Sequence, residues 1–151
     1  MTKNITISSL FCAASLTSYL LFAQTDAAKN NNIIYLHEQK AKHRSPESLF
    51  EALTARGNVI IIFYADWCNP CKRSAPIVDQ LAEILTNFKL VKVNAEMHKK
   101  LYFYYTEKHG MKGIPSFLFF KDGKLIEVYS KGPKTVEEWT DHINNLNGTH
   151  F

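Results

Sequence analysis

The chain has 151 residues, 46% of them apolar, and its 18 basic and 14 acidic side chains leave a formal charge of +4. That length and apolar content suit one ordinary hydrophobic core, and no shift in composition marks a second domain, a repeat or a low-complexity tract. The lysines are scattered, which describes a solvated surface and argues against a nucleic-acid partner.

Residues 1–23 differ in kind from the rest of the chain. Lys3 precedes a stretch from Ile5 to Ala23 without a single charge, and small residues stand at Ala23, Ala27 and Ala28. The pattern predicts a secretory signal peptide over 1–23. A retained anchor is the alternative, because the uncharged stretch approaches the roughly 20 residues of a membrane span. Thr6, Ser8, Ser9, Ser15, Thr17 and Ser18 dilute it, which favours cleavage. Either reading places the remaining domain outside the cytoplasm: exported to a Gram-negative periplasm, or anchored to the membrane and facing the same side. Cys12 lies inside the apolar stretch and lacks the small residues that a lipid-attachment cysteine needs in front of it, so it reads as one more apolar residue of the signal.

Residues 24–32 are polar and read as a linker, and 33–147 as the folded domain. Ile33 to Leu36 is a short strand. Ser45-Pro46-Glu47 opens a helix whose apolar face is Leu49, Phe50 and Leu53, and Gly57 stops it. Val59 to Tyr64 is continuously apolar or aromatic and rich in β-branched residues, the pattern of a central strand covered on both faces. Helical spacing comes next in Ile77, Leu81, Ile84, Leu85 and Phe88. Leu90 to Val93 is the next strand, parallel to its predecessor through the intervening helix. Met97 to Lys108 is a helix rich in tyrosine, whose rings read as sheet-packing surface with a docking face as the alternative. Ser116–Lys121 and Lys124–Ser130 flank Asp122-Gly123, a two-residue hairpin signal. Thr135 and Glu138 form a capping box, and Val136, Trp139, Ile143 and Leu146 are the stripe of a last helix. The element order is βαβαβαββα, an α/β sandwich with a mixed sheet and helices on both faces.

The chemistry concentrates at Cys68-Asn69-Pro70-Cys71, where the central strand runs into a helix. A thiol there meets the unpartnered first amides and the positive end of the helix dipole, which lower its pKa from about 8.5 toward roughly 3.5 to 7.5. With the signal removed these are the only two cysteines, and a bridge across so short a loop constrains little of the unfolded chain. The pair is therefore expected to react rather than to brace. A zinc site would need two more ligands at matching spacing, and the six histidines, His37, His43, His98, His109, His142 and His150, are scattered, so no metal is expected.

Trp67-Cys68-Asn69-Pro70-Cys71-Lys72, followed by Ala75-Pro76-Ile77, closely resembles the active-site segment of thioredoxins, Trp-Cys-Gly-Pro-Cys-Lys ahead of a proline-kinked helix. Lys92 in Lys-Val-Asn, Gly113-Ile114-Pro115-Ser116, Asp122-Gly123 and Gly132 fall in the same order, so the resemblance spans roughly Ile33 to Leu146. It implies the thioredoxin fold, and a thiol-disulfide oxidoreductase whose redox-active disulfide, Cys68–Cys71, serves in place of any cofactor. Cys68 is expected to be the exposed nucleophile and Cys71 the more buried resolving thiol. Pro70 fixes the loop, Asn69 replaces the family's glycine, and Trp67 shields one side of the pair. Pro115 corresponds to the family's cis-proline, which leaves the backbone at Ile114 free to pair with an extended substrate.

Two departures bear on mechanism. Ile62 occupies the place of the family's buried aspartate, leaving Asp66 and Lys92 as the nearby candidates to handle the proton of Cys71. Tyr64 replaces a tryptophan, and Tyr-Ala-Asp-Trp-Cys is similar to the thioredoxin-like domain of transmembrane thiol reductases. The Asn-Pro dipeptide and Ile114 resemble reducing members. The expected function is reduction of protein disulfides in the cell envelope by a monomer reloaded by a membrane thiol reductase. An oxidase or isomerase, or a binding module on the same fold using Tyr102 to Tyr105, are the alternatives.

Overall fold

A computed structural model describes residues 32–38 and 45–148. Strands β1 (Ile33–Tyr35), β2 (Asn58–Tyr64), β3 (Phe88–Asn94), β4 (Ser116–Lys121) and β5 (Lys124–Tyr129) form one sheet in the order β1-β3-β2-β4-β5. β3 runs parallel to both β1 and β2, whereas β4 is antiparallel to β2 and β5. The helices are α1 (Pro46–Thr54), α2 (Asn69–Ile84), α3 (Lys99–His109) and α4 (Val136–Gly148), with a short 3-10 turn at Leu36–Glu38. The expected alternation of elements is thus observed. The predicted signal segment 1–23 and nearly all of the predicted linker lie outside the described residues.

β2 is the spine because it is buried from Val59 to Phe63. Side chains alternate across a strand, so Val59, Ile61 and Phe63 enter one core with Phe50, Leu101 and Tyr105, while Ile60 and Ile62 enter another with Val78, Leu81, Trp139 and Ile143. One face of the sheet carries α1 and α3; the other carries α2 and α4. Each helix starts and stops as its residues dictate. Ser45 caps α1 by accepting from the Ser48 amide at 3.2 Å, and the Thr135 hydroxyl accepts from Glu138 at 3.1 Å ahead of α4. The Asp122-Gly123 turn has positive φ at both residues, 47° and 84°, which matches the twist of a two-residue hairpin.

Some boundaries move. The helical spacing read through to Phe88 breaks at Leu85, which caps α2; Ile84 is 53% exposed and Phe88 begins β3. Residues after the cap keep apolar character because they serve a strand. On α3 the rings divide: Tyr105 is buried and Tyr102 half-buried, whereas Phe103 and Tyr104 face solvent. Burial, aided by Tyr104 and Glu51, pushes the Tyr105 phenol up to about 12.

Candidate active site

β2 delivers the chain to Ala65-Asp66-Trp67 at the end of the sheet, and Cys68 takes the N-cap of α2. Its φ and ψ of −74° and 101° are extended, its amide donates to the Ala65 carbonyl at 3.1 Å, and its carbonyl accepts from Lys72. Pro70 sits in the first turn, where its missing N–H costs nothing. Cys68 and Cys71 are joined by a disulfide. The Cys71 amide donates to Cys68 Sγ at 3.1 Å, so one otherwise orphaned donor of the helix end is satisfied by that sulfur.

Exposure of the pair differs from expectation. Cys68 is only 2% exposed and Cys71 8%, so the upstream cysteine is not the more open of the two. Ala65, Tyr64 and Ile114 pack against the cysteine pair. Trp67 is 64% exposed: it stands beside the pair as a projecting ring and does not close over it.

A groove of about 750 Å³ opens on the Cys68 side, bounded by Trp67, Asn69, Pro70, Lys99, Phe103 and Ile114. A cis peptide joins Ile114 to Pro115. The loop carrying them is held from below: the Lys112 amide donates to Ser130 Oγ at 2.8 Å, and the Ser116 hydroxyl bonds Ser130 at 3.0 Å and the Gly113 carbonyl at 2.6 Å. Gly132 lies against this unit, where a Cβ would stand 3.5 Å from Pro115 and 3.6 Å from Ser74.

A second, smaller cavity of about 200 Å³ opens behind Cys71 and is bounded by Tyr35, Ile62, Asp66, Ser74, Lys92 and Pro115, among others. The structure therefore brings Asp66 and Lys92 to the same cavity as Cys71. Asp66 Oδ2 accepts from Asn94 Nδ2 at 3.5 Å, while Asn94 Oδ1 accepts from the amides of Glu96 and Met97. Lys92 Nζ donates to Asp79 Oδ1 at 3.3 Å and to the Tyr35 hydroxyl at 3.4 Å. Sequence reasoning missed Asn94, Tyr35, Asp79, Ser116 and Ser130. Only Asn94 carried a visible signal, as a polar residue ending a buried strand. Among the described residues no three His, Cys, Asp or Glu side chains are grouped to hold a metal.

The family model for Thioredoxin matches residues 40–145. The chain is 32% identical over 102 residues to the thioredoxin of Bacillus subtilis (strain 168), covering 67% of this chain and 93% of that protein. It is 30% identical over 98 residues to thioredoxin Asp f 28 of Aspergillus fumigatus, covering 64% of this chain and 87% of the relative. In structure it is similar to a mutant thioredoxin from Halobacterium salinarum NRC-1, with a TM-score of 0.57 and 25% identity over 80% of this chain and 94% of that one. Strand order, the disulfide at the head of α2 and these likenesses agree on a thioredoxin-type thiol-disulfide oxidoreductase, and the chain belongs to the thioredoxin family.

Proposed function

We propose that the protein reduces disulfides of other proteins in the cell envelope, working as an exported, periplasmic monomer that a membrane thiol reductase recharges. The observation that carries the chemical part is the Cys68–Cys71 disulfide, set at the N-terminus of α2 with an open groove beside Cys68. Support for export comes from the uncharged run Ile5 to Ala23 after Lys3. The pattern Tyr64-Ala65-Asp66-Trp67-Cys68 supports a membrane donor through its likeness to transmembrane thiol reductases.

In the reduced enzyme Cys68 attacks one sulfur of a substrate disulfide, forming a mixed disulfide and releasing the other substrate sulfur as a thiolate, which takes a proton from solvent. Cys71 then attacks Cys68 Sγ; the Cys68–Cys71 bond forms and the second substrate thiol leaves. Two electrons pass from the dithiol to the substrate. Burial of Cys68 is no obstacle, because the groove meets it along the line of Trp67 and Ile114, where an extended substrate strand pairs with the backbone at Ile114. Pro115 shapes that backbone, while Asn69 and Pro70 hold the two thiols one helical turn apart.

The test is trapping. A Cys71→Ser variant expressed with its full N-terminal segment is expected to accumulate mixed disulfides through Cys68 with envelope proteins, resolved by diagonal electrophoresis. Absence of such adducts, or adducts only with cytoplasmic proteins, contradicts the reading.

A further inference from the structure

The groove beside Cys68 carries more apolar ring surface than the chemistry of two thiols requires. Among the described residues five large apolar side chains are exposed, Trp67, Ile84, Met97, Phe103 and Tyr104, and of these Trp67 and Phe103 both line the groove. A single exposed ring is ordinary; two rings from distant parts of the chain meeting in one concavity leave an apolar surface for whatever lies there to cover. Phe103 does not hang free. Its ring stands edge-on to Tyr102 at 5.7 Å, and the Tyr102 ring stands edge-on to the buried Phe63 at 6.1 Å, so a relay of rings from the core fixes Phe103 at the groove. Tyr104, its neighbour on α3, leans instead on Tyr105 at 5.1 Å and on His109 at 5.5 Å, outside the groove.

We propose that Phe103, together with Trp67, selects among substrates: the groove takes a bulky apolar side chain, aromatic for preference, that lies two residues from the attacked cysteine in an extended segment of the substrate protein. The inference rests on the reading that Cys68 attacks disulfides of other proteins. Cys68 itself lines the groove, so whatever fills the groove is held against the reacting sulfur, and the occupant is the substrate segment. In an extended segment paired with the backbone at Ile114, alternate side chains share a face. The immediate neighbours of the substrate cysteine therefore point away, while the residue two places along points the same way as its sulfur, about 7 Å down the strand, toward the two rings.

Charge does not compete with this selection. Glu96 and Lys99 both border the groove, one negative and one positive, and Asn69 is neutral; all three are exposed, so the two opposed fields are weakened further by water and salt. Apolar burial is what remains, offered by Ala95, Ile114 and the two rings. Because Phe103 is already positioned, a ring docking on it gives up only its own freedom, whereas a glycine at that place in the substrate buries nothing.

The experiment uses the reduced full chain with Cys12→Ser and two peptides with a central cysteine, whose sulfur carries thionitrobenzoate in a disulfide. The peptides differ only at the positions two residues to either side of that cysteine, both phenylalanine or both glycine. Cys68 attacks the peptide sulfur, the bond to the reporter breaks, and the electron pair leaves on the coloured thionitrobenzoate thiolate, whose release is followed by stopped flow. The phenylalanine peptide is expected to react about tenfold faster. Phe103→Ala lowers that ratio to about threefold or less, Phe103→Tyr restores it, and Tyr104→Ala and high salt leave it as in the parent. Equal rates for the two peptides, or a ratio that Phe103→Ala does not lower, overturn the proposal and leave the reductase reading in place. A ratio lowered as far by Tyr104→Ala assigns the preference to general surface hydrophobicity and overturns it too. Release from neither peptide overturns both the selection and the reading of the site on which it rests.

Discussion

The backbone N–H of Cys71 points at Cys68 Sγ across 3.1 Å, inside the first turn of α2. When the disulfide opens, that donor and the positive end of the helix dipole favour the Cys68 thiolate. The pH profile of Cys68 alkylation in the reduced protein should therefore have its midpoint at about 7, below the roughly 8.5 of a free cysteine. A midpoint at or above the free value removes the helix terminus as the source of reactivity.

His98 gives a pH dependence to stability. It stands at the N-terminus of α3, is buried, and neither ring nitrogen has a hydrogen-bond partner. Burial pushes its pKa below the usual 6.5, His37 adds to the push, and Glu47 opposes it. Above about pH 6.5 the imidazole is neutral folded and unfolded, and nothing changes. As pH falls from there toward the lowered folded value, the unfolded chain binds the proton first, and stability is lost. Urea midpoints at pH 7 and pH 5 should differ more in the parent than in His98→Phe. Equal differences would show that His98 does not titrate between the two states.

Ser130 is expected to act on substrate binding at a distance. It accepts from the Lys112 amide and bonds Ser116, holding the loop of Ile114 and Pro115. Ser130→Ala removes both bonds, each worth about 1 kcal/mol, so KM for a protein disulfide should rise at least about fivefold while kcat changes little. A fall in kcat at constant KM would place the serine in the chemistry of the thiols.

Trp139 carries the stability of the α4 face. It is fully buried, its ring centre 4.3 Å from that of Phe117 and 5.4 Å from that of Tyr129. Trp139→Ala should cost about 3 to 5 kcal/mol by urea unfolding without altering the Cys68 alkylation profile. A loss under 1 kcal/mol would mean that the site collapses on the vacancy.

Which features were readable in the sequence depends on which forces act locally. The unbroken apolar run of β2 announced a strand covered on both faces, and Asp122-Gly123 announced its turn, because pleat and backbone dihedral are properties of neighbouring residues. Cys68 at the head of α2 was legible from Pro70 and the change of period. The hold on Lys92 was not, since Tyr35 lies 57 residues before it and Asp79 on a different element. The apolar Phe88 fitted the spacing of a helix that had already ended, because spacing alone cannot register the cap at Leu85. The cysteine pair is packed by Tyr64, Ala65 and Ile114, which converge from two parts of the chain. No local pattern encodes that convergence.

The reduction potential of the Cys68–Cys71 pair, measured by equilibrating the protein with glutathione buffers, tests the proposed reductase most directly. A value close to the roughly −270 mV of thioredoxin is the predicted result. A value near the roughly −120 mV of a strong disulfide oxidant would contradict it and assign the protein to disulfide formation.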